Sequence, residues 1–237
     1  MASGQIVNFK IGEAFPADDQ LARWMTVCSM ALNDLLMVNR WLLPRLQEEV
    51  DAEPGAIFYL GRLAASHLFE VATFLRKSDR SVEVVARFVA TLPEEPRAAY
   101  RELLEIGDGG RGKFQEQLKH ARNKSFHYDA LLTGPAEERE RLRQAMSDHA
   151  EHEVEEGIAQ GRIEDRPPTI TGFRATFADD IAVEMMLPKG ADDDLGAFLK
   201  ATSEHITKFL IFVKAALNAY TGTRPPGTWT IEAVGES

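Results

Sequence analysis

The clearest indication of the fold class is the stretch from Asp18 to Leu36, which reads DDQLARWMTVCSMALNDLL. Its apolar residues recur at three- and four-residue spacing, as on one face of an α-helix; they are Leu21, Trp24, Met25, Cys28, Leu32, Leu35 and Leu36. Asp18-Asp19 precedes them, and a carboxylate there can cap the free backbone amides of a helix start. The stretch therefore predicts a long amphipathic helix, which Pro44 kinks or ends.

Helical periodicity continues along most of the chain. It predicts a second long helix from about Pro54, a short helix through Leu92 that Ser81 caps, and further helices at Glu95–Ile106, Lys113–Leu132, Ala136–Glu156 and Leu195–Tyr220. The helix at Ala136–Glu156 is highly charged and has only a thin apolar stripe, which is typical of a surface or partner-facing helix.

Helices joined by short loops, with little strand pattern, predict an all-α bundle. Its core is expected from the first two helices, the Lys113 helix and the C-terminal helix. Alternation at Phe173–Phe177 allows one short β-hairpin, although Asp179-Asp180 could instead cap a short helix there. We expect a single domain at 18–221, preceded by an N-terminal arm at 1–17 and followed by a loose tail at 222–237.

The composition excludes several classes of protein. One cysteine, Cys28, allows no intramolecular disulfide, and its place on the apolar stripe predicts a buried thiol. The longest strongly apolar run, Phe209–Val213, is too short to span a bilayer, so we expect a cytoplasmic protein. The net charge of −10 argues against binding nucleic acid over the whole surface, but five basic residues and one acidic residue lie between Arg111 and Lys124.

Common metal and phosphate motifs are missing from the sequence. No histidine follows a glutamate by three residues, as a di-metal carboxylate bundle would need, and His149 and His152 lie on a very polar predicted helix. There is no Walker-type phosphate loop and no zinc-protease motif. The glycine-rich loop Gly107–Gly112 could hold a phosphate at the following helix start, but a flexible connection is the better explanation of its composition. We expect neither metal nor cofactor.

One short stretch contains side chains that could take part in catalysis. It reads Arg122-Asn123-Lys124-Ser125-Phe126-His127. On a helix, Asn123 and His127 are four residues apart and share a face, and Arg122 can bend toward the same groove. These groups suit metal-free RNA cleavage, in which the ribose 2′-hydroxyl is itself the nucleophile. Histidine can transfer protons near neutral pH, arginine can stabilise the charged phosphorane, and an amide can orient either group.

This stretch resembles the signature of the HEPN superfamily, in which an arginine is followed after four to six residues by a histidine, most often with asparagine directly after the arginine. The helix order is also similar, and the segments around Ala31–Leu35 and Arg62–Glu70 resemble abortive-infection-type members. In the HEPN toxins that partner nucleotidyltransferases, a tyrosine commonly stands two residues past the histidine. Here Tyr128 follows immediately, and Asp129 takes that place.

The resemblance implies a HEPN-like helical bundle with endoribonuclease activity and a motif at a homodimer interface. It implies catalytic roles for Arg122, Asn123 and His127. Supporting roles are expected for Glu70, one turn from His67 on the second helix, and for Tyr128; the lysines expected to bind RNA are Lys113, Lys119 and Lys124. An antitoxin or other regulatory protein is an expected partner. Other members of the superfamily have lost activity, so a module that binds a protein or nucleotide is the alternative.

Overall fold

The computed structural model describes residues 5–46, 54–125, 136–148, 195–225 and 229–233. Within these ranges the chain forms eight helices and one pair of strands. In chain order they are β1 (Gln5–Phe9), α1 (Ile11–Ala14), α2 (Gln20–Leu46), α3 (Pro54–Ser81), α4 (Glu83–Ala90), α5 (Glu94–Ile106), α6 (Lys113–Ser125), α7 (Ala136–Asp148), α8 (Leu195–Gly222) and β2 (Trp229–Ala233). The predicted all-α bundle is confirmed.

The start of α2 follows the sequence prediction. Asp19 Oδ1 accepts hydrogen bonds from the backbone amides of Leu21, at 2.8 Å, and Ala22, at 3.2 Å. Two amides that have no partner inside the helix are thereby satisfied. At the other end Pro44 lies inside α2, and the helix ends two residues later at Leu46.

The core lies where α3 packs against α2, α5 and α6 and where α8 packs against α2 and α5. Its largest fully buried side chains are Met25, Leu35, Leu42, Leu68, Leu75, Leu103, Leu118, Leu199, Phe209, Phe212 and Tyr220. The four helices expected to build the core all contribute to it, and α5 adds a fifth face. The ring of Phe212 lies 4.7 Å from Tyr100 and 6.1 Å from Trp24, measured between ring centroids.

Two local predictions are wrong. Ser81 does not cap α4: it is the last residue of α3, its hydroxyl donates to the Lys77 carbonyl at 2.6 Å, and Val82 takes the N-cap position without a side-chain cap. A serine hydroxyl can bond backward to a carbonyl four residues earlier as readily as it caps the next helix. Leu36 is 41% exposed, because adjacent helical residues such as Leu35 and Leu36 point about 100° apart.

The two ends of the described chain meet. β1 pairs antiparallel with β2, with Gln5 opposite Ala233 and Phe9 opposite Trp229. The prediction of a loose tail therefore does not hold for Trp229–Ala233, since pairing with a strand more than two hundred residues away leaves no local signal. The predicted hairpin at Phe173–Phe177 lies outside the described residues.

A polar clamp ties α8 to the beginning of the chain. The Tyr220 hydroxyl donates to the Ala14 carbonyl at 2.9 Å, and its ring stacks on Phe15 at 5.3 Å between centroids. Arg224 donates to Asp19 at 2.6 Å and lies over the Tyr220 ring. The residue that caps α2 thus also anchors the C-terminal end of α8.

Within the described residues, no helix combines the length and the apolar character that a bilayer crossing requires. The thiol of Cys28 is buried, as the sequence predicted, and burial raises its pKa. It is therefore part of the core and not an accessible nucleophile.

Candidate functional site

Arg122 lies near the end of α6, at the edge of the face that this helix buries. Leu118 and Ala121 are fully buried, and α6 packs on α3. Arg122 follows Ala121 in sequence, so its side chain leaves the interface at the surface, where it is 42% exposed. Its Nε donates a hydrogen bond of 2.7 Å to Oε1 of Glu70.

Glu70 presents its carboxylate from α3 to this guanidinium. Its neighbours Phe69 and Val71 are buried, whereas Glu70 itself is exposed on the outer side of the helix. An ion pair between exposed side chains typically contributes only about 0.2–1 kcal/mol to stability. The consequence of this pair is therefore geometric, because it restricts the direction in which the planar guanidinium points.

A second acid–base contact lies one helical turn away on α3. Nδ1 of His67 is 3.9 Å from Oδ2 of Asp34 on α2, longer than a hydrogen bond but within reach of a small side-chain adjustment or a bridging water. His67 and Glu70 are three residues apart and so are neighbours on the same helix surface. Sequence reasoning did not include Asp34 in the site, since nothing in its local sequence marks it.

Together these side chains form a polar row across three helices, which consists of Asp34, His67, Glu70 and Arg122. All four are partly solvent-exposed, with exposed side-chain fractions of 59%, 37%, 55% and 42% in that order. Carboxylates and potential cations alternate along the row. A polar ligand at this surface would meet the Arg122 guanidinium, which is bonded to Glu70, and the His67 imidazole, which lies 3.9 Å from the Asp34 carboxylate.

The structure brings only some of the sequence-predicted residues together. Asn123 and Lys124 follow Arg122 within α6, where the structure describes their backbone but not their side chains. His127 and Tyr128 lie outside the described residues. The contacts that would complete the Arg122–His127 motif stay a prediction.

The lysines on α6 do not all lie on one face. Lys119 is three residues before Arg122 and therefore neighbours it on the helix surface, and its Nζ is 3.9 Å from Oδ1 of Asp108. Lys113 is nine residues before Arg122, which places it about half a turn away around the axis. Of these two predicted RNA-binding lysines, only Lys119 neighbours the polar row.

The loop before α6 fixes how this helix sits on α3. The amide of Asp108 donates to the Thr73 hydroxyl at 2.9 Å, and Arg76 donates to the carbonyls of Leu104 and Gly109 at 2.6 Å each. Gly109 has a φ of 79°, in the left-handed region that favours glycine. These bonds connect the loop to α3, so the loop defines the position from which α6 carries Arg122 toward Glu70.

Another described histidine, His205, serves the packing of α8. Its ring stacks on Phe114 at 4.7 Å between centroids, and its Nδ1 lies 2.8 Å from the Ala201 carbonyl. Burial lowers the pKa of His205, since the protonated ring is disfavoured away from water. In the described part of the chain, no three histidine, cysteine or acidic side chains gather as a metal site would require.

An apolar stripe runs along the outer face of α2. It consists of Val27, Met30, Met37 and Trp41, which are between 40% and 62% exposed. Asp34 of the polar row interrupts it midway, at the spacing that puts all five residues on one helix face. An adjoining groove of about 700 Å³ is lined by residues that include Asn33, Leu36, Met37, Asn39 and Arg40.

All the contacts of the polar row lie within one chain. No protein-family model, curated protein or solved structure matches the sequence.

Proposed function

We propose that the protein is a metal-independent endoribonuclease of the HEPN type, with Arg122 and His127 as its catalytic residues. The observation that supports this most directly is the 2.7 Å hydrogen bond from Arg122 to Glu70. The motif arginine is 42% exposed at the surface and is oriented by a carboxylate from a second helix. A guanidinium that is positioned and accessible to solvent is what stabilisation of a phosphorane requires.

Only a few chemical groups take part in the proposed reaction. The ribose 2′-hydroxyl attacks the adjacent phosphorus, so the protein supplies no nucleophile. His127 transfers a proton, Arg122 stabilises the charge that develops on the phosphoryl oxygens, and Asn123 orients one of these two groups. The product carries a 2′,3′-cyclic phosphate, or the phosphate that its hydrolysis leaves.

We also propose how the protein assembles and in which process it acts. One arginine and one histidine per chain are few groups for phosphoryl transfer, and a two-fold axis near the motif would bring two copies of each into one cleft. Such a homodimer would act in the cytoplasm as a toxin or defence component, controlled by an antitoxin or another regulatory protein. Lys119 would hold the RNA backbone beside Arg122, Lys124 would extend this contact, and Tyr128 would support His127. Lys113 lies about half a turn around α6 from Arg122 and would meet RNA only outside this site.

A second candidate function is a non-catalytic HEPN-like module that binds a partner protein. The apolar stripe on α2 favours it, since Met30, Met37 and Trp41 are each more than half exposed. Methionine and tryptophan are enriched where proteins bind one another. In this alternative Arg122 and His127 would contribute to recognition without cleaving RNA.

A cleavage assay in EDTA discriminates between the two functions. The substrate is a labelled single-stranded RNA, and the proteins are the wild type, Arg122→Ala and His127→Ala. Loss of a positioned acid–base group typically lowers a rate by about 10²- to 10⁴-fold, so His127→Ala should show no detectable cleavage. Arg122→Ala should be similarly impaired, because its charge acts in the transition state.

The melting temperatures of the variants show whether a loss of cleavage is caused by unfolding. Both substitutions should leave the midpoint of thermal unfolding nearly unchanged: Arg122 is half exposed, and His127 is expected in an open groove. A wild type that cleaves no RNA, or a His127→Ala variant that cleaves as fast as the wild type, would support the binding module. A variant that loses activity only because it unfolds would assign His127 a structural role.

A further inference from the structure

The apolar stripe on α2 carries no net charge, although the chain as a whole has a net charge of −10. Between Val27 and Trp41 the sequence contains only two charged residues, Asp34 and Arg40, whose charges cancel. Contiguous exposed apolar side chains mark a surface that binds a partner. An acidic chain repels a second copy of itself over most of its surface, and this repulsion is weakest at a neutral face.

The two charges are placed symmetrically about Met37, which is 59% exposed. Asp34 lies three residues before Met37 and Arg40 three residues after it, so they stand about 60° to either side of Met37 around the helix axis. Both side chains are exposed. Within the described ranges Arg40 makes no ion pair, and the ion contact of Asp34 is the 3.9 Å approach to His67. Both charges can therefore pair with a second molecule.

This spacing makes the α2 face complementary to itself. When two identical helices pack antiparallel about a two-fold axis, a residue three positions before the axis is level with the residue three positions after it on the other helix. With the axis at Met37, Asp34 of each copy is level with Arg40 of the other. The long arginine side chain can reach a carboxylate across the helix pair, so the face offers two equivalent ion pairs.

The apolar side chains fit the same arrangement. Met37 of one copy packs against Met37 of the other, and Met30, seven residues before the axis, is level with Pro44, seven residues after it. Trp41 is level with Asn33, which lines the groove of about 700 Å³ beside the stripe. The groove therefore leaves room for side chains of the second copy.

We propose that the outer face of α2 is a homodimer interface, in which two copies of α2 pack antiparallel about a two-fold axis at Met37. The homodimer belongs to the proposed function, on which this inference rests; the inference adds the surface that forms it. Asp34 is part of both this face and the polar row, so the two polar rows flank the axis. Dimer formation is measured without RNA, so its outcome is separate from the outcome of the cleavage assay.

Exchange of the two charges tests the interface and its register. Asp34→Arg brings two cations level with each other, and Arg40→Asp brings two carboxylates together. Each single variant should raise the dimer dissociation constant at least about tenfold, because juxtaposed like charges disfavour association. The double variant Asp34→Arg/Arg40→Asp restores both ion pairs and should associate nearly as tightly as the wild type. Analytical ultracentrifugation of the full-length protein measures all four dissociation constants.

A substitution on the axis tests the same face without touching the polar row. Met37→Lys places two lysines opposite each other in the dimer and should raise the dissociation constant at least about tenfold. Met146→Lys on α7 is the matched control, since Met146 is 54% exposed and lies outside the proposed interface. It should leave the dimer unchanged. Both residues are exposed, so the melting temperature of each variant at monomeric concentrations should stay close to that of the wild type.

Cysteine cross-linking tests the position of the axis. Two copies of Met37→Cys should form an intermolecular disulfide under mild oxidation, because their Cα atoms would face each other within about 7 Å. In Met30→Cys the two thiols would lie about 21 Å apart along the helices, too far to be bridged. The natural Cys28 is buried and therefore does not compete.

The results that would overturn the interface differ from those that would overturn the ribonuclease. A wild type that is a strict monomer would leave the α2 face to another protein. A dimer that Met37→Lys does not weaken, or a double charge variant that fails to associate, would place the homodimer contact on another surface. Cross-linking of Met30→Cys but not of Met37→Cys would contradict the register. Cleavage of RNA in EDTA would stand after any of these results.

Discussion

At the scale of single residues, Glu70 and Arg122 show how an exposed ion pair can matter for geometry more than for stability. Glu70→Gln removes the charge that orients the guanidinium and keeps the size of the side chain. We expect RNA cleavage to fall about tenfold, which corresponds to about 1.4 kcal/mol of transition-state stabilisation. The free energy of unfolding should change by less than about 1 kcal/mol. Both are measured on the same preparation, by cleavage rate and by urea denaturation.

A matched control exists elsewhere on the surface. Lys208 on α8 pairs with Glu102 on α5, which is also an exposed contact between two helices. Glu102→Gln should have the same small effect on stability and none on cleavage. If both variants cleave at the wild-type rate, Glu70 does not orient Arg122 for cleavage.

The ionisation of Asp19 should change the free energy of unfolding of the protein. Burial raises the pKa of its carboxyl, but hydrogen bonds from Arg224 and from the amides of Ala22 and Leu21 outweigh burial, so the pKa lies below its ordinary value. A depressed folded-state pKa means that the contribution to stability is complete above the unfolded-state pKa of about 3.9. It is lost as the pH falls through the folded-state pKa, where Asp19 becomes protonated.

The measurement compares the free energy of unfolding of wild type and Asp19→Asn from pH 6 to pH 2. Asparagine also caps helices, so Asp19→Asn retains the cap of α2. The substitution removes only the negative charge that pairs with Arg224. The wild type should be more stable above pH 4, and the difference should shrink at lower pH. A difference that stays constant over the whole range would mean that the Asp19 charge contributes nothing.

At the scale of elements, Gly107 marks a close approach between the end of α5 and α3. A Cβ added at this glycine would lie 2.5 Å from the backbone oxygen of Ala72, which cannot move without moving α3. Gly107→Ala should therefore destabilise the protein by about 1–3 kcal/mol, as overpacking typically does. The midpoint of urea denaturation reports it.

Gly12, in α1, is the control for this prediction. A Cβ there would meet nothing within 4 Å, and alanine is favoured over glycine inside a helix. Gly12→Ala should leave stability unchanged or slightly raised. Equal stabilities of the two alanine variants would show that α5 and α3 are not closely packed at Gly107.

The helices themselves could be predicted because their signals are local. The apolar spacing after Asp19 and the capping carboxylate lie within a few residues of one another, so they identify α2 without any knowledge of its neighbours. Ser81 shows the limit of local signals, because the same hydroxyl can cap the next helix or donate to a carbonyl of its own helix, and it donates to the Lys77 carbonyl.

The site was predictable only in part, because it is built from contacts between elements. Arg122 could be predicted because it belongs to the motif. Glu70 could be predicted because it is a charged residue beside an apolar helix face. The bond between them joins residues 52 positions apart, and no spacing in the sequence encodes it. Asp34 was part of a segment with a family resemblance, Ala31–Leu35, but nothing assigned it to the site, since its partner His67 lies on another helix.

At the scale of the whole molecule, we expect a symmetric homodimer. Each chain supplies one motif arginine and one motif histidine, and a two-fold axis near them would form a cleft with two of each. Light scattering at high micromolar concentration should give twice the mass of one chain. A strict monomer at that concentration would remove the basis for a shared cleft.

The proposed ribonuclease activity is tested most sharply by the chemical identity of the RNA ends that the wild-type protein produces in EDTA. Mass spectrometry of a short single-stranded substrate after cleavage distinguishes the candidates. Attack by the 2′-hydroxyl predicts 2′,3′-cyclic phosphate on the upstream fragment, or the phosphate derived from it, with a 5′-hydroxyl on the downstream fragment. Fragments with 5′-phosphate and 3′-hydroxyl ends, or an uncut substrate, would contradict the account.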